Sequence, residues 1–154
     1  CYNIKIHGIT AEDVADCPTF AEQWEDIKPY LEGKTVIAHN TSFDFCRTFV
    51  RECIEGMEFF DIMFAFFDTI GQTKKYNQFC AENGYYTASG NCRMTAEICY
   101  RFVTNDISFI EEHTALADSL IEAEILRACW ATHKKFTRNA HKGDYRAKQI
   151  RCKI

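Results

Sequence analysis

No two cysteines are spaced CxxC, although the chain carries nine of them. A tetrahedral zinc site built on such pairs therefore has no support in the sequence. Cys46, Cys53, Cys99 and Cys129 fall instead within apolar helical runs, where a free thiol packs as a small hydrophobe. The first residues lack the basic and apolar regions of a secretion signal. Reduced cysteines in a cytoplasm are the expectation. Long apolar runs are absent too. The longest, from Phe59 to Ile70, is interrupted by Asp61 and Asp68, too short and too charged to span a membrane. There is no internal repeat and no low-complexity tract.

What is present fits one domain. The chain has 154 residues, 47% hydrophobic and 26% charged, enough to fill a core and stay soluble. The net charge of −4 is unevenly placed. Residues 131–154 hold eight Lys/Arg against Asp144, a net of +7, and the remainder carries −11. Two readings of this basic arm stay open. One is a solvated terminus; the other is a strip that touches phosphates, with Phe136 and Tyr145 available to stack on bases.

Local patterns give the elements. Ile4 and Ile6 around Lys5 read as the end of a strand, and Thr10 as the cap of a short helix through Asp16. Thr19-Phe-Ala-Glu22 is a capping box opening an amphipathic helix to about Leu31, stopped by Gly33, with Pro29 late in it. Residues 35–39 read as a short buried strand, with Ser42 capping a helix that runs to about Glu55. A strand follows at 58–62, then helices over 63–70, 74–83, 94–103 and 111–135. The last has Leu116, Leu120, Ile121, Ala123, Ile125 and Leu126 on its apolar face. Many helices and few strands imply an α/β domain. The strand count, and a start at Cys1 that reads as mid-element, lead us to expect a chain cut from a longer one.

Four polar residues stand out. Asp44 sits about five residues past a strand, in the first turn of a helix; taken alone it favours the helix dipole. His39 ends an apolar strand and reads as a hydrogen-bonded structural histidine. His113 and Asp118 are five residues apart, about 140° round a helix. They can converge only if His113 lies on the entry turn or the loop before it; otherwise both face water. As a set, Asp44, Asp118 and His113 suit phosphodiester hydrolysis. Two divalent ions about 3.5–4 Å apart generate the nucleophile and offset charge on the phosphoryl oxygens. Hard Mg²⁺ or Mn²⁺ wants carboxylate oxygens. An imidazole with a pKa near 6.5 can take the water's proton. A metal pair wants about four carboxylates.

In order along the chain, 7-HGIT-10, 39-HNTSFD-44 and 113-HTALAD-118 resemble motifs of the DEDD-type 3′→5′ exonuclease family. The five-residue His-to-Asp step resembles its histidine subclass, to which the proofreading epsilon subunit of bacterial DNA polymerase III belongs. The resemblance covers roughly residues 4–128. It implies a ribonuclease H-like fold, a mixed sheet flanked by helices with the metal site at one edge. It implies Asp44 and Asp118 as ligands of Mg²⁺ or Mn²⁺, His113 as general base, and Asn40 and Phe43 shaping the pocket for the 3′ nucleotide. It further implies a nucleic-acid 3′ end as substrate, DNA before RNA, and a polymerase or repair partner.

The family's first motif, Asp-x-Glu on an N-terminal strand, occurs nowhere in the chain. The expectation is therefore an exonuclease-like domain over residues 1–130 that lacks its N-terminal strands, with a basic tail over 131–154. Such a chain would bind metal poorly on its own. The alternative is a non-catalytic nucleic-acid-binding or scaffolding module derived from the same fold. A generic metal-dependent hydrolase with a His/Asp site is more remote.

Overall fold

The structure, a computed structural model, describes residues 4–41, 43 and 58–135, together with the backbone of 140–142. Helices α1 (Ile4–His7) and α2 (Phe20–Leu31) precede strand β1 (Thr35–Ala38). Strand β2 (Glu58–Asp61) runs directly into α3 (Ile62–Phe66), and a π-type turn over Phe67–Gly71 leads to α4 (Lys74–Asn83). Helices α5 (Ala96–Thr104) and α6 (Ala115–Ala131) follow, then strand β3 (Ala140–Lys142).

The three strands form one sheet in the order β1-β2-β3. β1 and β2 are parallel, with Ala38 opposite Asp61. β3 is antiparallel to β2, with His141 opposite Phe59, so the sheet takes a strand from the basic C-terminal stretch. The parallel pair matters most for function. It brings the carboxyl ends of β1 and β2 side by side, and the loops leaving them emerge at one edge, the usual place for a ligand in an α/β sheet.

The core lies between α3, α4, α5 and α6. Phe66 and Phe102 meet the Tyr76 ring edge-on, with centroids 4.9 and 5.0 Å away. Tyr76 is fully buried, and its hydroxyl donates to the carbonyl of Arg93. α6 contributes Ile121, Ile125, Leu126 and Cys129 and packs on both α5 and α3. Gly84 closes α4 at φ +69°, a left-handed C-cap that glycine adopts without steric cost. Beyond α6, the Lys134 ammonium donates to the carbonyl of Thr69 at 2.5 Å, tying the helix end to the π-type turn.

Several expectations hold. The Thr19/Glu22 capping box is complete, 74–83 is a helix, and the strands expected at 35–39 and 58–62 appear there. Others are corrected. Residues 4–6 are a single helical turn, closed by a 2.9 Å bond from the Gly8 N–H to the Ile4 carbonyl. Ile6 is exposed, so no sheet face claims it. Residues 11–17 form turns, because Asp13 binds the Thr10 hydroxyl and N–H and closes the chain locally. β1 alternates between exposed and half-buried residues where a buried strand was expected. The helix expected from Met63 loses its α-helical pattern at Phe67. Leu116 and Leu120 are 73% and 63% exposed: α6 buries the 121/125/129 stripe, and at 100° per residue both leucines point away from it. Ser42, Asp44 and the helix expected to Glu55 lie outside the described residues, as do Phe136 and Tyr145. Among the described residues no helix is long and apolar enough to cross a membrane.

Candidate active site

At the end of β2, Asp61 is completely buried and accepts five hydrogen bonds. Its Oδ2 takes the N–H and the hydroxyl of Thr41, both at 2.9 Å. Its Oδ1 takes Met63 N–H at 2.9 Å and Phe64 N–H at 3.3 Å, which makes it the N-cap of α3. The same oxygen accepts from Asn40 N–H at 3.3 Å. One carboxylate thus fixes both loops at the sheet edge. Asn40 sits at φ +65°, a left-handed conformation that asparagine tolerates better than most residues. The turn this makes brings Phe43 out to the surface, 60% exposed. His39 behaves as a structural histidine: its Nε2–H donates to the Met94 carbonyl at 2.6 Å. Burial pushes its pKa down, which keeps the ring neutral, and its buried Nδ1 has no hydrogen-bond partner among the described residues.

The second segment approaches from the other side. α6 begins at Ala115, four residues later than expected, because Thr114 is its N-cap and accepts from Ala117 N–H at 3.3 Å. His113 therefore lies in the loop before the helix, at φ +57°. This meets the geometric condition for convergence with Asp118. One ligand atom each from Glu111, His113 and Asp118 lie within 4.8 Å of one another. Asp118 is half-buried, and its buried Oδ1 has no hydrogen-bond partner among the described residues. Glu111 is also half-buried. Burial holds its carboxyl above the usual range, and the nearby imidazole of His113 offsets this only in part.

The two segments meet in one pocket of about 650 Å³. Asn40 and Phe43 line it on one side, and Glu111, Asp118 and Glu122 on the other. Its floor includes Met63 from α3 and Arg93 and Met94 from the loop after α4. Asn40, Phe43, His113 and Asp118 are thus gathered in one region. Asp44 lies outside the described residues. His7–Thr10 forms an exposed turn in which His7 Nδ1 accepts from Ile9 N–H, and none of its residues lines the pocket.

Sequence reasoning missed three contributors. Glu111 reads in the sequence as part of a helix start, whereas the Thr114 N-cap places it in the loop beside His113. Asp61, which holds the turn, reads in the sequence only as an interruption of an apolar run. Arg93, which brings a guanidinium to an acidic pocket, carries no local signal. The donor set suits a hard divalent cation: carboxylate oxygens dominate it, and the Asp118 Oδ1, without a partner among the described residues, is a buried lone-pair site that a cation would satisfy.

A mixed sheet whose strand ends open onto an acidic, histidine-bearing pocket defines an α/β domain of ribonuclease H type. A family model described as an exonuclease matches residues 2–126, and the chain belongs to that exonuclease family. It is similar to the DNA polymerase III subunit epsilon of Haemophilus influenzae, at 46% identity over 41 residues. It is also similar to that of Pasteurella multocida, at 44% over 41 residues. Each match spans 27% of this chain and 16% of the relative. No solved structure matches the chain.

Proposed function

We propose that the chain carries part of the active site of a metal-dependent 3′→5′ exonuclease that acts on nucleic-acid 3′ ends, DNA before RNA. The observation behind this reading is that Asn40 and Phe43 share a pocket with Glu111 and Asp118, and that His113 is clustered with the last two. The likeness to proteins named as DNA polymerase III epsilon subunits supports DNA as substrate and a polymerase as partner.

In this reading Asp118 and Asp44 would hold Mg²⁺ or Mn²⁺. A divalent cation there supplies charge for the phosphoryl oxygens and lowers the pKa of an attacking water. The chain's own residues do the rest. His113 takes the water's proton at a ring nitrogen. Phe43, exposed at the pocket rim, offers a flat apolar surface to the terminal base. Asn40, pinned through its backbone to Asp61, shapes the wall beside that base. Arg93 faces the phosphate from the opposite loop, its Nε anchored on the Tyr86 carbonyl at 2.7 Å. Together these groups orient the 3′ end and present one phosphodiester to the acid cluster.

The test is a nuclease assay on a 5′-labelled DNA oligonucleotide, using this chain together with any native flanking sequence. The expected result is stepwise shortening from the 3′ end with Mg²⁺ or Mn²⁺, abolished by chelation. Losing the general base in His113→Ala should cost about 10²–10⁴ in rate with folding unchanged. Activity within a few-fold of the unaltered protein would refute the mechanism.

A further inference from the structure

Helix formation does not explain Glu111 or the backbone at His113. Thr114 caps α6 by itself, and Glu111 lies outside the first helical turn, where a carboxylate would favour the dipole. Yet the chain turns at His113 through φ +57°, which L residues rarely adopt. The turn leaves Glu111 Oε2 3.6 Å from His113 Nδ1. The two side chains differ in setting. Glu111 is held against the protein with its side chain only 13% exposed, and the imidazole is 42% exposed. The carboxylate is therefore not a solvated surface acid. Glu97 and Asp118, both acidic, also surround it. Among the described residues, the basic group in ion-pair contact with it is His113.

A carboxylate oxygen facing a ring nitrogen repels a lone pair there and favours an N–H. We propose that Glu111 is a positioning residue: it holds the His113 ring in the Nδ1–H tautomer and leaves the Nε2 lone pair outward, free to accept a proton. This is how a carboxylate behind a histidine fixes tautomer and orientation in general. At 3.6 Å the pair is longer than a formed hydrogen bond, as catalytic contacts often are before substrate binds. The inference deepens the exonuclease reading and rests on His113 as its base.

The test reads the tautomer directly. Long-range ¹H–¹⁵N spectra of the ¹⁵N-histidine-labelled 154-residue chain, with His113 assigned through His113→Gln, report which nitrogen carries the proton. The expected result is Nδ1–H in the unaltered chain above the ring's titration range. Glu111→Ala should convert His113 to the Nε2–H form that free imidazole side chains favour. Glu111→Gln, which keeps an acceptor oxygen of the same reach, should retain most of the Nδ1–H form. An Nε2–H ring in the unaltered chain, or an Nδ1–H ring that persists in Glu111→Ala, overturns the proposal. The unaltered chain decides the matter even if Glu111→Ala does not fold. Tautomer and hydrolysis are separate readouts, so failure here leaves the nuclease reading standing, and a silent nuclease assay leaves this result standing.

Discussion

Asp61 Oδ2 accepts from both the backbone N–H and the hydroxyl of Thr41, each at 2.9 Å, and is fully buried as it does so. The bond pair joins the end of β2 to the turn after β1 and sets the wall of the pocket that Asn40 and Phe43 line.

Asp61→Ala should therefore be among the most damaging single changes. It removes the N-cap of α3 and strips partners from the N–H groups of Asn40, Thr41, Met63 and Phe64. Losing a cap and leaving buried donors unpaired predicts a loss of about 3 kcal/mol. Urea unfolding checks it; a midpoint that barely moves would remove Asp61 from the account.

Tyr76→Phe keeps the ring among Phe66, Phe79 and Phe102 and deletes only the hydroxyl that binds the Arg93 carbonyl. The lost hydrogen bond and the orphaned carbonyl predict about 1–2 kcal/mol of destabilisation. Because Arg93 and Met94 line the pocket, this variant should also weaken binding of a DNA 3′ end, read by fluorescence anisotropy.

Much of this was legible in the sequence, and the misses have physical causes. The Thr19/Glu22 box and the 35–38 and 58–61 strands are local signals, and each appears in the structure. The five-residue spacing of His113 and Asp118 is visible in the sequence, and it lets them meet only because His113 lies in the loop before α6. The role of Asp61 was not legible, because a carboxylate that serves two loops does so through a partner twenty residues away in sequence. Glu111 was hidden by Glu112 beside it: two acids before an apolar run look like a first helical turn, and the Thr114 cap overrides that pattern. Leu116 and Leu120 were misplaced because composition alone does not reveal which stripe of an apolar helix finds neighbours.

The buried thiols should be inert. Burial pushes Cys99 and Cys129 up and Cys80 up to about 12, so little thiolate forms near neutral pH. Alkylation followed by peptide mass spectrometry should modify exposed Cys17 quickly, and these three only on unfolding. The sign for stability follows. The unfolded Cys80 thiol ionises near 9 and the folded one near 12, so the unfolded state binds fewer protons in between. Stability from this group is fully present below pH 9 and is lost as pH rises from 9 towards 12. Urea midpoints that rise across that range would contradict the assignment.

Thr114→Ala removes the N-cap of α6 next to His113. The expected cost is about 1 kcal/mol in thermal or urea unfolding. Exchange of backbone amides at 115–118 should accelerate by a corresponding factor, with no change in the 125–129 core. Equal acceleration at both places would show that the cap has no local role.

The central claim is that the segments around Phe43 and Asp118 form one divalent-cation pocket. Paramagnetic broadening by Mn²⁺ tests it most directly, since the effect falls off steeply with distance and needs no turnover. In ¹H–¹⁵N spectra of the ¹⁵N-labelled chain, the amides of Asn40, Phe43, Glu111, His113 and Asp118 should broaden first and together, and Asp118→Asn should abolish the effect. Broadening that spares either segment, or that survives Asp118→Asn unchanged, would contradict the account.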